Sequence, residues 1–193
     1  ANGVMKRVHQ QVLDEVNDAD QTGVVFFDAD KDGDQDLLIV YGGNEDKGTS
    51  LALQPRLLIN DGKGNFTNVP QQLPVFSVTA SCAVAGDMDN DGDMDIFIGG
   101  RVVPGAYGLT PSSFLLANNG KGFFSDETDQ RAPGLKEVGM VTGASWTDIN
   151  NDGMPDLTIV GDWMPLTCFR NNKGRLEKTA LPESTGWWNC IRP

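Results

Sequence analysis

The chain has 193 residues, is 39% hydrophobic and carries a formal net charge of −12. Its length and apolar content suffice for a folded core, whereas the acidity argues against nucleic-acid binding, which requires a basic surface. Its apolar stretches are all shorter than the roughly 18 residues that a membrane-spanning helix needs. We therefore expect a folded acidic protein with no nucleic-acid partner and no membrane span.

Residues 1–22 are interpreted as the end of a preceding repeat followed by a polar linker. Residues 2–8 are similar to residues 173–179, which close the last repeat. The single histidine, His9, lies in this polar segment, and we expect it at the surface.

An aspartate-rich stretch then occurs three times, at residues 28–36, 87–95 and 148–156. The first two copies carry five aspartates on alternate positions, and glycine occupies position 6 of every copy. The copies begin 59 and 61 residues apart (87 − 28 and 148 − 87). A regular period of this length indicates a repeat architecture.

Each aspartate stretch predicts a calcium site, because crowded carboxylates repel one another and a hard cation with oxygen ligands removes that penalty. The glycine at position 6 permits the positive φ that lets positions 1, 3 and 5 converge. Position 7 is expected to offer its backbone carbonyl, and position 9 closes the site. Up to three Ca²⁺ ions follow, with these candidate ligands: Asp28, Asp30, Asp32, Asp34 and Asp36; Asp87, Asp89, Asp91, Asp93 and Asp95; Asp148, Asn150, Asp152, Met154 and Asp156.

Two other structures are compatible with an Asp- and Gly-rich stretch, an EF-hand and a metal-free hairpin. An EF-hand needs a bidentate glutamate at position 12, where this chain has Ile39, Ile98 and Ile159. The flanking apolar runs are also short enough to predict strands rather than helices. A metal-free hairpin held by Asx turns is the alternative, although five acids in nine residues exceed what a turn needs. It has more weight for the third stretch, which carries only three acids.

Each repeat also contains the signals of four short strands. A strand leads into the aspartate loop and a β-branched strand follows it, and a third and a fourth strand flank an Asn/Gly turn. Four antiparallel strands per repeat are typical of a β-propeller blade. The sequence therefore predicts an all-β fold with three blades, at residues 23–79, 80–139 and 140–183, and the first strand of a further blade at 184–193.

Three whole blades with a partial blade at each end do not close a ring, since propellers have about four to eight blades. We therefore interpret the chain as a fragment of a larger propeller. Association with another copy through the open blade edges is the alternative.

In a four-stranded meander, the connections between the second and third strands lie opposite the aspartate loops. The first two of these connections are about ten residues longer than the third. Insertions on one face of a repeat protein often mark its binding face. The ligand-face candidates are Arg101, Tyr107 and Trp163, with simple packing or a solvated surface as the alternative for each.

These motifs resemble the FG-GAP/VCBS repeat, the calcium-binding propeller blade of integrin α-subunit heads and of many bacterial exported proteins. The aspartate loops carry the resemblance, and the segments at 99–104 (GGRVVP) and 161–165 (GDWMP) bring the chain closest to the bacterial relatives of cartilage acidic protein. Asn150 and Met154 depart mildly from the repeat pattern. The resemblance implies bound calcium and a ligand on the face away from it.

The three cysteines, Cys82, Cys168 and Cys190, are an odd number, which leaves at least one thiol without a partner within the chain. We expect them to act as buried small hydrophobic residues. Loops of this kind usually bind calcium at the concentrations found outside the cytoplasm, so we expect a secreted, periplasmic or cell-surface protein.

The sequence shows no Gly-x-Ser-x-Gly motif and no histidine near a nucleophile, so we identify no catalytic residue. The hypothesis is a non-catalytic calcium-binding module for recognition or adhesion, with an extracellular protein or glycan as its partner and calcium in a structural role. The alternatives are the propeller part of a carbohydrate-active enzyme and a purely structural module.

Overall fold

The structure is a computed structural model, and it describes residues 9–14, 20–44 and 51–191. In this part of the chain eleven strands form three antiparallel sheets. The helices are α1 (Gln11–Asp14) and α2 (Thr128–Arg131), and short 3₁₀ turns lie at Leu51–Leu53 and Pro70–Gln72. Neither α1 nor α2 is long or apolar enough to cross a membrane. The predicted all-β fold is confirmed.

The first two sheets are four-stranded meanders whose strands follow one another in chain order. The first contains β1 (Asp20–Phe27), β2 (Asp36–Gly42), β3 (Arg56–Asn60) and β4 (Phe66–Asn68). The second contains β5 (Ala80–Gly86), β6 (Asp95–Gly100), β7 (Phe114–Asn118) and β8 (Phe124–Asp126). The register pairs Phe27 with Asp36 and Gly86 with Asp95, so each aspartate loop closes a hairpin.

The third sheet contains β9 (Met140–Thr147), β10 (Asp156–Asn172) and β11 (Arg175–Trp187). Separate second and third strands were predicted here, whereas β10 is continuous. A hydrogen bond nevertheless shows that β10 folds back on itself. The Asn171 N–H donates to Asp156 Oδ1 at 2.7 Å. A straight strand would separate these residues by about 50 Å. Trp163, with φ of 54°, and Pro165 lie at the reversal, so the two limbs of β10 replace the two predicted strands.

The middle strands are buried on both faces, as their continuous apolar runs predict. Leu38 and Val40 of β2 pack toward the second sheet together with Ile96 and Ile98 of β6. Phe97 points the other way, into the core shared with the third sheet. Because side chains alternate along a strand, each middle strand joins two neighbouring cores.

Hydroxyl groups on the inner strands link each blade to the next. Thr22 Oγ1 donates to Ala80 O at 2.8 Å, and Ser81 Oγ donates to Val141 O at 2.7 Å. Thr142 Oγ1 makes the equivalent bond to Trp188 O. The segment at 188–191 therefore lies beside β9 in the place of the next inner strand.

Residues 9–14 cover the outer side of the first sheet. Gln10 Nε2 donates to Gly64 O at 2.6 Å, and the Phe66 N–H donates to Gln10 Oε1 at 3.0 Å. Val12 packs against the cluster that contains the buried Tyr41. These residues, which lie within the predicted linker, thus pack on the first sheet. Residues 1–8 and 15–19 lie outside the described part of the chain. His9 is exposed and pairs with Asp14, in agreement with its predicted surface position.

The three cysteines are free thiols in different environments. Cys168 is buried and Cys82 is partly buried, and desolvation raises the pKa of the Cys82 thiol to about 11. Cys190 is exposed, so the expectation that all three are buried is wrong for this residue, which follows the last described strand.

We predict that Cys190 is the most reactive thiol of this chain. At pH 8, Cys82 holds about a hundredfold less thiolate than an ordinary cysteine, and the thiolate is the reactive form. Peptide mass spectrometry after brief treatment with iodoacetamide should find Cys190 labelled first. In urea all three should react alike, and comparable labelling of Cys82 and Cys190 in the native chain would contradict the described burial.

Candidate metal centres and the opposite face

The three aspartate loops share one backbone conformation. The glycine at position 6 has positive φ in each loop, as predicted, and so does the residue at position 4. The values for positions 4 and 6 are 63° and 91° (Lys31, Gly33), 59° and 84° (Asn90, Gly92), and 59° and 87° (Asn151, Gly153). Asparagine at position 4 of two loops is a sequence signal for this second left-handed residue, which was not predicted.

The first loop is held by carboxylates at its two ends. The Gly33 N–H donates to Asp28 Oδ2 at 3.0 Å. Asp36 accepts from the Ala29 N–H at 2.8 Å through Oδ2, and from the Asn60 N–H at 2.8 Å through Oδ1. The second and third loops repeat these bonds with the following pairs: Gly92–Asp87, Met88–Asp95 and Asn118–Asp95; Gly153–Asp148, Ile149–Asp156 and Asn171–Asp156.

Carboxylates at positions 1, 3 and 9 converge in the first two loops. In each loop these three residues offer oxygens that lie within 4.8 Å of one another: Asp28, Asp30 and Asp36; Asp87, Asp89 and Asp95.

The carboxylates at positions 5 and 7 are not part of these groups, and the backbone carbonyl expected as a ligand at position 7 stays a prediction. At position 5, one carboxylate oxygen accepts the N–H of position 7, at 2.9 Å for Asp32 and Asp34 and at 3.0 Å for Asp91 and Asp93.

The third loop keeps the backbone shape with fewer carboxylates. Asn150 engages Asp152 at both ends of its amide, since Oδ1 accepts the Asp152 N–H at 3.0 Å and Nδ2 donates to Asp152 Oδ2 at 2.7 Å. The Met154 N–H donates to Asp152 Oδ1 at 2.9 Å. Two of the predicted ligands are therefore hydrogen-bonded to each other, which leaves this loop with fewer free carboxylate oxygens than the first two.

Several carboxylate oxygens of the first two loops are buried and accept no hydrogen bond within the described residues. They are Asp28 Oδ1, Asp89 Oδ1 and Asp93 Oδ1. A buried oxygen without a partner costs free energy that a cation would remove. An all-oxygen donor set of this kind suits a hard cation such as calcium, so the residues fit the predicted metal.

The electrostatics of the loops also favour a cation. Burial raises the pKa of Asp95 to about 6. Burial raises the pKa of Asp93 to about 7, and the hydrogen bond to Asp91 and its charge add to the effect. Burial also raises the pKa of Asp30 and of Asp36. A nearby divalent ion stabilises the charged form of each carboxyl and so opposes these shifts.

An asparagine at the end of the third strand joins neighbouring loops. Asn118 Nδ2 donates to Ala29 O of the first loop at 2.8 Å. Asn171 Nδ2 donates to Met88 O of the second loop at 2.6 Å, and to Pro155 O of its own loop at 2.8 Å. This role was not predicted, although an asparagine precedes the Asn/Gly turn in every repeat.

The structure brings the three ligand-face candidates together at the other end of the strands. Arg101 Nη2 lies 2.6 Å from Oδ2 of Asp162, a residue that was not predicted to be part of this face. The rings of Tyr107 and Trp163 meet edge to face with centroids 5.4 Å apart, and they are 57% and 55% exposed. The Gly105 N–H donates to Asn44 Oδ1 at 3.1 Å, so connections from all three blades meet here.

The meandering sheets, their inner strands and the acidic hairpins define a segment of a β-propeller. Residues 28–98 match the FG-GAP-like repeat family. The chain is homologous to cartilage acidic protein 1, with 31% identity to the mouse and human proteins (Mus musculus and Homo sapiens) and 30% to that of Xenopus tropicalis. Each alignment covers 79% of this chain but only 22–23% of the relative, so the chain spans about a quarter of their length.

A solved structure has a similar fold. It shows an Agrocybe aegerita lectin in specific recognition of non-reducing terminal N-acetylglucosamine, and it matches with a TM-score of 0.52 and 18% identity. The match covers 81% of this chain and 37% of the lectin chain.

We predict that Asn171→Ala destabilises the chain strongly. The substitution leaves the carbonyl groups of Met88 and Pro155 without this donor and removes the acceptor of the Gly174 N–H. Urea unfolding should show a loss of about 2–4 kcal/mol, because buried groups lose their partners. The matched control is Asn172→Ala, an exposed neighbour, which should stay within about 0.5 kcal/mol of the unsubstituted chain. Equal effects of the two substitutions would contradict the joining role.

Proposed function

We propose that this chain is the calcium-binding part of a non-catalytic β-propeller that recognises a glycan or protein outside the cytoplasm. The observation that carries this proposal is the repeated convergence of three carboxylates, with buried oxygens at Asp28 and Asp89 that accept no hydrogen bond in the described chain. Calcium is the hard cation that such flexible all-oxygen sites accept at extracellular concentrations. This supports a secreted, periplasmic or cell-surface location.

Calcium has a structural role in this proposal. The loops lie where neighbouring blades meet, since Asn118 and Asn171 each bind the loop of the preceding blade. Asn90 Nδ2 likewise donates from the second loop to Gly153 O of the third at 3.0 Å. Bound cations would neutralise the aspartates and so stabilise the joints between blades as well as each hairpin.

The recognition surface of this proposal is the opposite face, at Arg101, Asp162, Tyr107 and Trp163. Exposed Tyr, Trp and Arg side chains are the types most enriched where partners bind. Trp163 adopts positive φ, which is unusual for a bulky residue and is more common at functional sites than elsewhere. The similarly folded lectin recognises a terminal N-acetylglucosamine, which makes glycans the first ligand class to test.

We predict that calcium raises the melting temperature of the chain and that Asp28→Asn reduces this rise. A site filled at a hundredfold excess over its Kd adds about 2.7 kcal/mol of stability, and the substitution removes a charged candidate ligand. Calorimetry in EDTA and in millimolar calcium measures both effects. Asp129→Asn, which makes the same charge change at an exposed helix position, is the control and should keep the full rise. An unchanged melting temperature on adding calcium would refute the metal assignment.

We predict that Trp163→Ala weakens ligand binding about thirtyfold or more, as truncation of a central aromatic contact does. The labelled chain would be screened in calcium on an array that includes N-acetylglucosamine-terminated glycans and against extracellular proteins, and each hit would be titrated by calorimetry. Leu109→Ala changes another exposed residue near Tyr107 and is the control. In the Trp163→Ala variant the rise in melting temperature on adding calcium should be unaffected. Ligand binding that survives this substitution would place the ligand elsewhere.

A further inference from the structure

The second aspartate loop receives two cationic side chains from outside the loop. Arg131 Nη1 lies 2.8 Å from Asp89 Oδ2. Lys31 Nζ lies 3.9 Å from Asp93 Oδ2 and donates to Asp91 O at 3.3 Å. We propose that Arg131 and Lys31 are built-in counter-cations that hold the second loop in shape without calcium, whereas the first loop depends on the metal. This inference rests on the proposed function, because it assigns different calcium dependence to sites of one set.

Arg131 is a positioning residue for Asp89. It is the last residue of α2, and its Nε pairs with Glu127 one turn earlier, so two carboxylates fix the guanidinium. The guanidinium engages Oδ2 of Asp89 and leaves Oδ1 buried, without a protein partner among the described residues. One oxygen of this candidate ligand is therefore held by the protein while the other remains available to a cation.

The Arg131–Asp89 pair is enclosed rather than solvated. Its side chains are only 29% and 24% exposed. A Cβ added at Gly174, in the turn of the third blade, would lie 2.7 Å from Arg131 Nη1 and 2.8 Å from Asp89 Cβ. Glycine at 174 thus lets the turn pack onto the pair. Solvent screens this enclosed pair less than a surface pair, and the second carboxylate, Glu127, helps to offset the cost of burying the guanidinium.

Lys31 occupies position 4 of the first loop but places its charge at the second. Its Nζ lies 3.7 Å from the Cβ position of Gly92 and 3.4 Å from that of Gly120, both in the second blade. Asn90 holds the same position in the second loop and reaches the third in the same way, by donating to Gly153 O. Asn90 is neutral. Of these two contacts, therefore, only that of Lys31 places a positive charge at the next loop.

The three loops therefore differ in how their charge is compensated. Across the described ranges, no lysine or arginine forms an ion pair with the aspartates of residues 28–36 or 148–156. The first loop carries five aspartates and the third only three. Without metal, repulsion among carboxylates should open the first loop most readily. A cation entering the second loop is also opposed by the two positive charges already there.

Hydrogen exchange with mass spectrometry measures how far each loop of the full chain depends on calcium. In EDTA, amides of residues 87–95 should be at least about tenfold better protected than those of 28–36, as expected for a less readily opened segment. Calcium should slow exchange strongly in the first loop and only slightly in the second. Equal protection of both loops in EDTA would overturn the proposal.

The variants Arg131→Met and Lys31→Met should each lower the protection of residues 87–95 in EDTA by about threefold to tenfold. Calcium should restore this protection, so the second loop becomes calcium-dependent. Arg131→Lys keeps the positive charge, so residues 87–95 should retain part of their protection in EDTA. Lys136→Met, which removes a charge paired with the exposed Asp129, is the control. It should leave the protection of residues 87–95 in EDTA unchanged.

The outcomes separate this inference from the function on which it rests. If calcium protects none of the loops, the calcium assignment itself fails. If calcium protects all loops equally and Arg131→Met leaves residues 87–95 unchanged in EDTA, the counter-cation proposal fails while calcium binding stands. If Arg131→Met speeds exchange equally in all three loops, the residue stabilises the whole chain, and a specific role at the second loop is refuted.

Discussion

The structure depends on a buried aspartate at position 9 of each loop: Asp36, Asp95 and Asp156. Burying a carboxylate is costly unless both oxygens find partners. Here one oxygen accepts the N–H of the second loop residue, and the other accepts the N–H of the asparagine that ends the third strand. A single side chain thus closes the hairpin and fixes where the third strand runs. Because all three repeats satisfy the same requirement, the aspartate hairpin meets the asparagine in the same way in every blade.

This local geometry extends from blade to blade through bonds at both ends of the strands. At the loop end, the asparagine fixed by position 9 donates to the preceding loop, as Asn171 does to Met88 O. On the inner strands, Thr22 and Ser81 make the repeated hydroxyl bonds. Between these ends, each middle strand fills two cores. Neighbouring blades are therefore held by polar contacts and apolar packing together, which places the connections of all three on one opposite face.

Contacts within a repeat could be predicted from the sequence, and most contacts between repeats could not. The aspartate spacing, the glycine at position 6 and the apolar middle strands act over a few residues, so their pattern is visible in the chain. The bond from Arg131 to Asp89 spans 42 residues, and that from Gly105 to Asn44 spans 61. Such pairs depend on how blades pack. The continuous β10 was missed for a related reason, since the short third connection lets its two limbs merge around Trp163.

The backbone shape of the three loops does not depend on the charge of the side chain at position 7. Position 7 is Asp34, Asp93 or Met154, yet its N–H makes the same bond to position 5 at 2.9–3.0 Å. Its side chain is therefore dispensable for the backbone shape, which the glycine at position 6 and the aspartates at positions 1 and 9 maintain. Side chains at positions 3, 4 and 7, and neighbours such as Arg131, can then vary without loss of the hairpin. A repeat built this way can retain its fold while its loops differ in how far they depend on a bound cation.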